Sequence, residues 1–238
     1  MLEADSSRLL EAASKGLAAP VPSCPPWTVE DVLTHLARVY LHKVECMRQQ
    51  RSPEPWPPDL SHREPIGLVR DSLGTLVGEL RSRGPSAPSY TWYPPDQTVG
   101  FWYRRMAQET VIHRVDVELA HDCVTPVDPE LAVDGVDEVL TIMLAGDWSD
   151  EPVDEAAGRS VVLTTGGRSW RVGLDRTQVE VVARPAGAAA PSADATVEGD
   201  PHDVLLWTWG RAPVERLAVT GDHGAVQALR RRLALATQ

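Results

Sequence analysis

The segment RRMAQETVIHRVDVELAH, residues 104–121, carries the densest set of groups able to do chemistry. Glu109 and His113 are spaced so that they lie one above the other on a single helix face, and Asp116 falls on the same stripe. On a wheel of about 100° per residue these three lie within about 60° of one another. Trp102, Met106 and Ala120 share that sector, and Val111, Ile112, Val115 and Leu119 fill its flank. Arg114 and Glu118 form a separate polar face on the far side. A surface helix needs only one polar face. The second, bordered by apolar residues, is therefore expected to point inward, where ionisable groups must be paired or bound to metal. A Glu and a His in this spacing can serve as ligands in the core of a helical bundle. An exposed Glu109–His113 ion pair, extended by Arg105, is the simpler alternative.

A further histidine adds to the metal reading. His35 shares the apolar stripe of Val32 and Val39 on an earlier predicted helix. A lone histidine there could be a satisfied core residue, and His42, one heptad on, is a lesser candidate of the same kind. Taken with Glu109 and His113, however, His35 completes a set of two imidazoles and one carboxylate. That set suits zinc or a related divalent ion with one position left open.

Several predicted elements position these residues. Residues 5–17 read as a short amphipathic helix. The stretch PPWTVEDVLTHLARVYLHKVECMRQQ predicts a helix to about 49, with Thr28 as N-cap and Glu30 and Asp31 in the first turn. Further helices are predicted over 65–83, 99–121 and 129–146. Near Ser149 the pattern changes. SDEPVDEAAG reads as a linker, and beyond it the period falls to two in RSVVLTTGG, RSWRVGLD and QVEVVARP, with Gly166-Gly167 as a hairpin signal. AGAAAPSADA reads as a low-complexity loop. A short strand in ATVEG, a helix over 200–209, a strand in ERLAVTG and a helix over 222–236 follow. The expectation is an all-helical domain over 1–148 and a small α+β domain over 149–238.

Composition limits the partners. The 238 residues carry 34 acidic against 23 basic side chains, a net charge of −11, which disfavours nucleic acid and anionic membranes. Arg230, Arg231 and Arg232 read as charge placed favourably near a helix C-terminus. No apolar run approaches the roughly 18 residues of a membrane helix. The acidic N-terminus does not resemble a signal peptide, so a cytoplasmic location is expected; a monomer is expected as well. Cys24, Cys46 and Cys123 show no paired spacing and are read as reduced and structural, leaving no obvious catalytic thiol.

Two motifs carry a family resemblance. The first, W-T-x-x-D-V-L-x-H-L, comprises Trp27, Thr28, Asp31, Val32, Leu33, His35 and Leu36. The second, E-x-x-x-H-R-x-D-x-E, comprises Glu109, His113, Arg114, Asp116 and Glu118. Together they resemble the mycothiol-dependent maleylpyruvate isomerase family, within the DinB/YfiT-like group of metal-binding four-helix bundles. GDPHDVLLWTWGR, ending in Trp209, Gly210 and Arg211, is similar to a motif of the family's sterol-carrier-protein-like C-terminal domain. The resemblance implies metal ligation by His35, Glu109 and His113, and mycothiol as the thiol cosubstrate, which would explain the lack of a catalytic cysteine. In the family reaction the thiolate adds to the cis double bond of maleylpyruvate, the bond rotates, and the thiol leaves the trans product. Arg211 would bind an anionic or electrophilic small substrate, and Asp116 would orient His113 or Arg114 from behind. Thiol transfer to an electrophile is an alternative activity, and a non-catalytic binding module on the same fold is another.

Overall fold

The computed structural model of the protein describes residues 1–185 and 192–237. Most of the expected low-complexity loop, residues 186–191, lies outside them. The chain divides into two compact units, Met1–Thr125 and Pro126–Gln238.

The first unit is all helical: α1 (Leu2–Ala13), α2 (Val29–Gln49), α3 (Pro65–Arg83) and α4 (Val99–Leu119). Helix α2 starts where the sequence says it should. The Thr28 hydroxyl accepts from Asp31 N, and the Asp31 carboxylate accepts from Thr28 N, a reciprocal capping box. The Glu64 carboxylate caps α3 ahead of Pro65, and the helix stops at Gly84, whose φ of 75° needs a glycine. Leu33, Leu36, Tyr40 and Met47 from α2, Leu76 and Leu80 from α3, and Trp102, Met106 and Val115 from α4 are buried together with Leu9 of α1. Each large apolar side chain contributes roughly 1.5–3 kcal/mol by leaving water. Helix α4 packs against α1, α2 and α3 and has almost no exposed side.

The second unit is α+β. It opens with α5 (Pro129–Glu138), which continues as a π-helical turn over Val139–Leu144 rather than as regular α-helix to 146. A short strand not foreseen in the sequence, β1 (Gly146–Asp147), follows. The others are β2 (Arg159–Thr165), β3 (Arg168–Leu174), β4 (Gln178–Arg184), β5 (Ala195–Glu198) and β6 (Ala218–Gly221), with α6 (Pro201–Thr208) and α7 (His223–Ala236). The sheet order is β1-β4-β3-β2-β5-β6. Among the described residues only β2 and β5 run parallel, consistent with the long connection between them. Gly166 and Gly167, at φ of 54° and 76°, form the two-residue turn between β2 and β3.

Two expectations differ from the structure. The division falls at Thr125/Pro126 rather than at 148/149, because α5 packs on α6 and the π-helical turn packs on α7 and β4. Helical periodicity tells that a segment is a helix but not which core it joins. The Arg230–Arg232 run lies inside α7 and not at its end, and Arg232 is fully buried. Its guanidinium donates to the carbonyls of Glu151 (2.5 Å), Asp175 and Arg176 and lies over the Trp148 ring. It therefore ties α7 to the loops beside it.

Candidate metal centre

Helices α2 and α4 bring His35, Glu109 and His113 together. One ligand-capable atom from each lies within 4.8 Å of the others. Glu109 Oε1 is 3.2 Å from His35 Nε2 and 3.3 Å from His113 Nε2, and the imidazole centroids are 4.9 Å apart. The His35 side chain is 36% exposed, against 15% for Glu109 and 12% for His113, so the cluster is most open at His35. Trp27 packs on the His35 ring at 5.0 Å and limits its swing.

The surroundings fix the charge of each group. Burial pushes the Glu109 carboxyl up, but the Arg105 guanidinium at 2.5 Å and the bonds to His113 and His35 outweigh it. The group is held well below the usual carboxylate range. Burial pushes His113 down, yet hydrogen bonds to Asp116 and Glu109 raise it to about 9. Asp116 Oδ2 accepts from His113 Nδ1 at 3.0 Å, and its other oxygen accepts from the Ser23 hydroxyl at 2.6 Å. Asp116 itself is fully buried. This directs His113 Nε2 at Glu109 and His35, as a carboxylate behind a metal-ligating histidine does. Two imidazole nitrogens and an ionised carboxylate oxygen, one imidazole braced by a buried acid, fit a divalent cation such as zinc.

Other expected residues fall elsewhere. Arg114 and Glu118 do not form a solvent-facing polar stripe. Both are buried, with Arg114 3.3 Å from Asp5 of α1 and 3.6 Å from Glu118. Thr125 donates to both Glu118 oxygens through its amide and hydroxyl. Helix α1 covers a face that a wheel of α4 alone leaves open, which is why the sequence did not show this network. His42 stays out of the cluster: its Nδ1 faces Lys43 and Cys46, and its ring packs on Trp56. Arg211 belongs to the second unit. Its Nη1 donates to Trp209 O at 2.7 Å, and the guanidinium lies 5.8 Å from the Trp209 ring centre. Gly210, at φ of 73°, is where Arg230 approaches: a Cβ there would meet Arg230 Nη2 at 2.1 Å.

Comparisons with known proteins follow this division. The N-terminal domain of mycothiol maleylpyruvate isomerase matches residues 2–118, and the C-terminal domain of the same family matches residues 130–228. The crystal structure of the mycothiol-dependent maleylpyruvate isomerase superposes with a TM-score of 0.59 at 14% identity, covering 93% of this chain and 91% of that one. A histidine-to-alanine mutant of that enzyme aligns with the same values. A ubiquinone synthesis protein, UbiJ-SCP2, aligns over 48% of this chain and 96% of its own at 22% identity, with a TM-score of 0.32 that is too low to carry an argument. No curated protein matches. With both domain matches in chain order and a shared fold across nearly its whole length, the chain belongs to the mycothiol-dependent maleylpyruvate isomerase family.

Proposed function

We propose that the protein is a metal-dependent enzyme that uses mycothiol to act on a small electrophilic or anionic substrate, with cis–trans isomerisation as the reaction type. The observation that carries this reading is the His35–Glu109–His113 cluster with Asp116 bonded behind His113. A divalent ion held there would favour thiolate over thiol, and so would supply the nucleophile from a bound small thiol. Zinc is the first choice from the mixed nitrogen and oxygen donors.

The chain's own residues have distinct tasks in this proposal. Arg105 keeps Glu109 ionised and ready to ligate. Asp116 holds the proton at His113 Nδ1, which leaves Nε2 as the ligating atom. Trp27 covers one side of His35. Arg211 is proposed to bind a substrate carboxylate through its planar fork.

The test combines elemental analysis with a mycothiol titration of purified protein. About one divalent ion per chain and saturable mycothiol binding are expected, with most of the metal lost in both His35→Ala and His113→Ala. Full metal occupancy in both variants refutes the site. Product analysis then separates two chemistries: thiol recovered unchanged after turnover supports isomerisation, and a stable thioether assigns the protein as a transferase instead.

A further inference from the structure

We infer that Trp27 is a positioning residue of the metal centre, and that the loop joining α1 to α2 holds both histidine ligands in place. The inference rests on the reading of His35, Glu109 and His113 as a metal site. The two imidazoles are supported differently. His113 has the buried Asp116 carboxylate bonded to its Nδ1 at 3.0 Å. His35 turns Nε2 toward Glu109, and among the described residues its Nδ1 has no hydrogen-bond partner. A ligating histidine is ordinarily oriented by an acceptor on its other nitrogen. On His35 the Trp27 indole takes that place by packing: the ring centres lie 5.0 Å apart, with the His113 ring 4.9 Å away. The His35 side chain is 36% exposed, so the indole is what keeps its ring from turning outward.

The loop is built to hold that indole still. The Val21 amide donates to Trp27 O at 2.9 Å, the Cys24 amide to Val21 O at 3.1 Å and the Trp27 amide to Cys24 O at 2.8 Å. Pro20 and Thr28 form a bridge, and the amides of Val29 and Glu30 donate back to Ala19 O and Leu17 O. Trp27 therefore has both backbone groups bonded inside a closed loop. The same loop also meets α4: the Ser23 hydroxyl donates to Asp116 Oδ1 at 2.6 Å, and the Cys24 thiol lies 3.7 Å from Asp116 Oδ2. One closed segment thus grips His35 of α2 through Trp27 and His113 of α4 through Asp116. It sets the separation of two ligands from different helices before any ion arrives, which is what a preorganised site needs. Trp27 itself is only part-buried, and Val29, Val32, Leu33 and Leu36 bury the start of α2, so the helical core does not depend on the indole.

The test measures zinc affinity of the full chain by competition with a chromogenic chelator, together with the melting temperature of each metal-free variant. Trp27→Ala, and Trp27→Leu, which keeps apolar bulk without a ring, should each bind zinc about 10-fold more weakly, the scale of losing a group that orients a ligating histidine. Trp27→Phe, which restores a ring, should stay within about threefold of wild type. In a His35→Ala background, Trp27→Ala should change the residual zinc affinity less than about twofold, because no ring is left to hold. A general loss of packing would carry its full effect into that background. Wild-type zinc affinity in folded Trp27→Ala and Trp27→Leu, or an equal loss with and without His35, overturns the inference. A wild type that binds no zinc overturns the metal site and the inference together. Zinc binding without mycothiol affinity refutes the proposed function alone and leaves the role of Trp27 standing.

Discussion

Removing the charge of Asp116 tests the architecture behind the metal centre most directly. Its carboxylate accepts from His113 Nδ1 at 3.0 Å and from Ser23 at 2.6 Å, and it is fully buried. In Asp116→Asn the amide keeps one acceptor for His113, because the Ser23 hydroxyl can reverse its role. The charge is then the main thing lost. In Asp116→Ala both the charge and the bond are lost. A charge-assisted hydrogen bond contributes about 1.5–3 kcal/mol, and loss of a carboxylate behind a ligating histidine weakens metal affinity roughly 10–100-fold. We expect about 10-fold weaker zinc binding for the asparagine variant, approaching 100-fold for the alanine variant. Ser23→Ala, which leaves the His113 contact in place, should change affinity less than about threefold. Zinc is titrated against a chromogenic chelator, with circular dichroism to confirm the fold. Zinc affinity within twofold of wild type in a folded Asp116→Ala protein would refute the claim that Asp116 positions a ligand.

Metal affinity should also follow pH. His113 is raised to about 9 by Asp116 and Glu109 in the metal-free protein, so ligation must displace a proton, and affinity should climb up to about tenfold per pH unit between 6.5 and 9. The metal-free fold has the opposite trend: a folded value above the unfolded 6.5 stabilises fully below about pH 6.5, and that contribution, on the order of 3 kcal/mol, is lost as pH rises through 9. Urea denaturation of metal-free protein against pH reads this, and flat profiles in both measurements would contradict the arrangement. For Arg211, alanine substitution should leave metal content and melting unchanged while turnover falls about 100-fold, with only partial recovery in Arg211→Lys. Unchanged turnover would remove Arg211 from the proposed machinery.

The clustering of Glu109 with His113 was legible in the sequence because it depends on local geometry. Glu109 and His113 are bound to share a face once residues 99–119 are helical, and the Thr28–Asp31 capping box sets where α2 begins and so which way His35 faces. Gly166-Gly167 likewise dictates its hairpin, since adjacent positive φ values admit little else. Other features depend on what packs against each element. The wheel of α4 showed two polar faces, but only the docking of α1 turns Arg114 and Glu118 into a buried network with Asp5. Periodicity identified α5 as helical, yet its assignment to the second unit comes from its packing on α6. Nothing in the spacing of α2 singles out Lys43. The position of Lys43 over Trp102 exists only once α2 and α4 lie side by side, because a contact between distant segments leaves no period in either one.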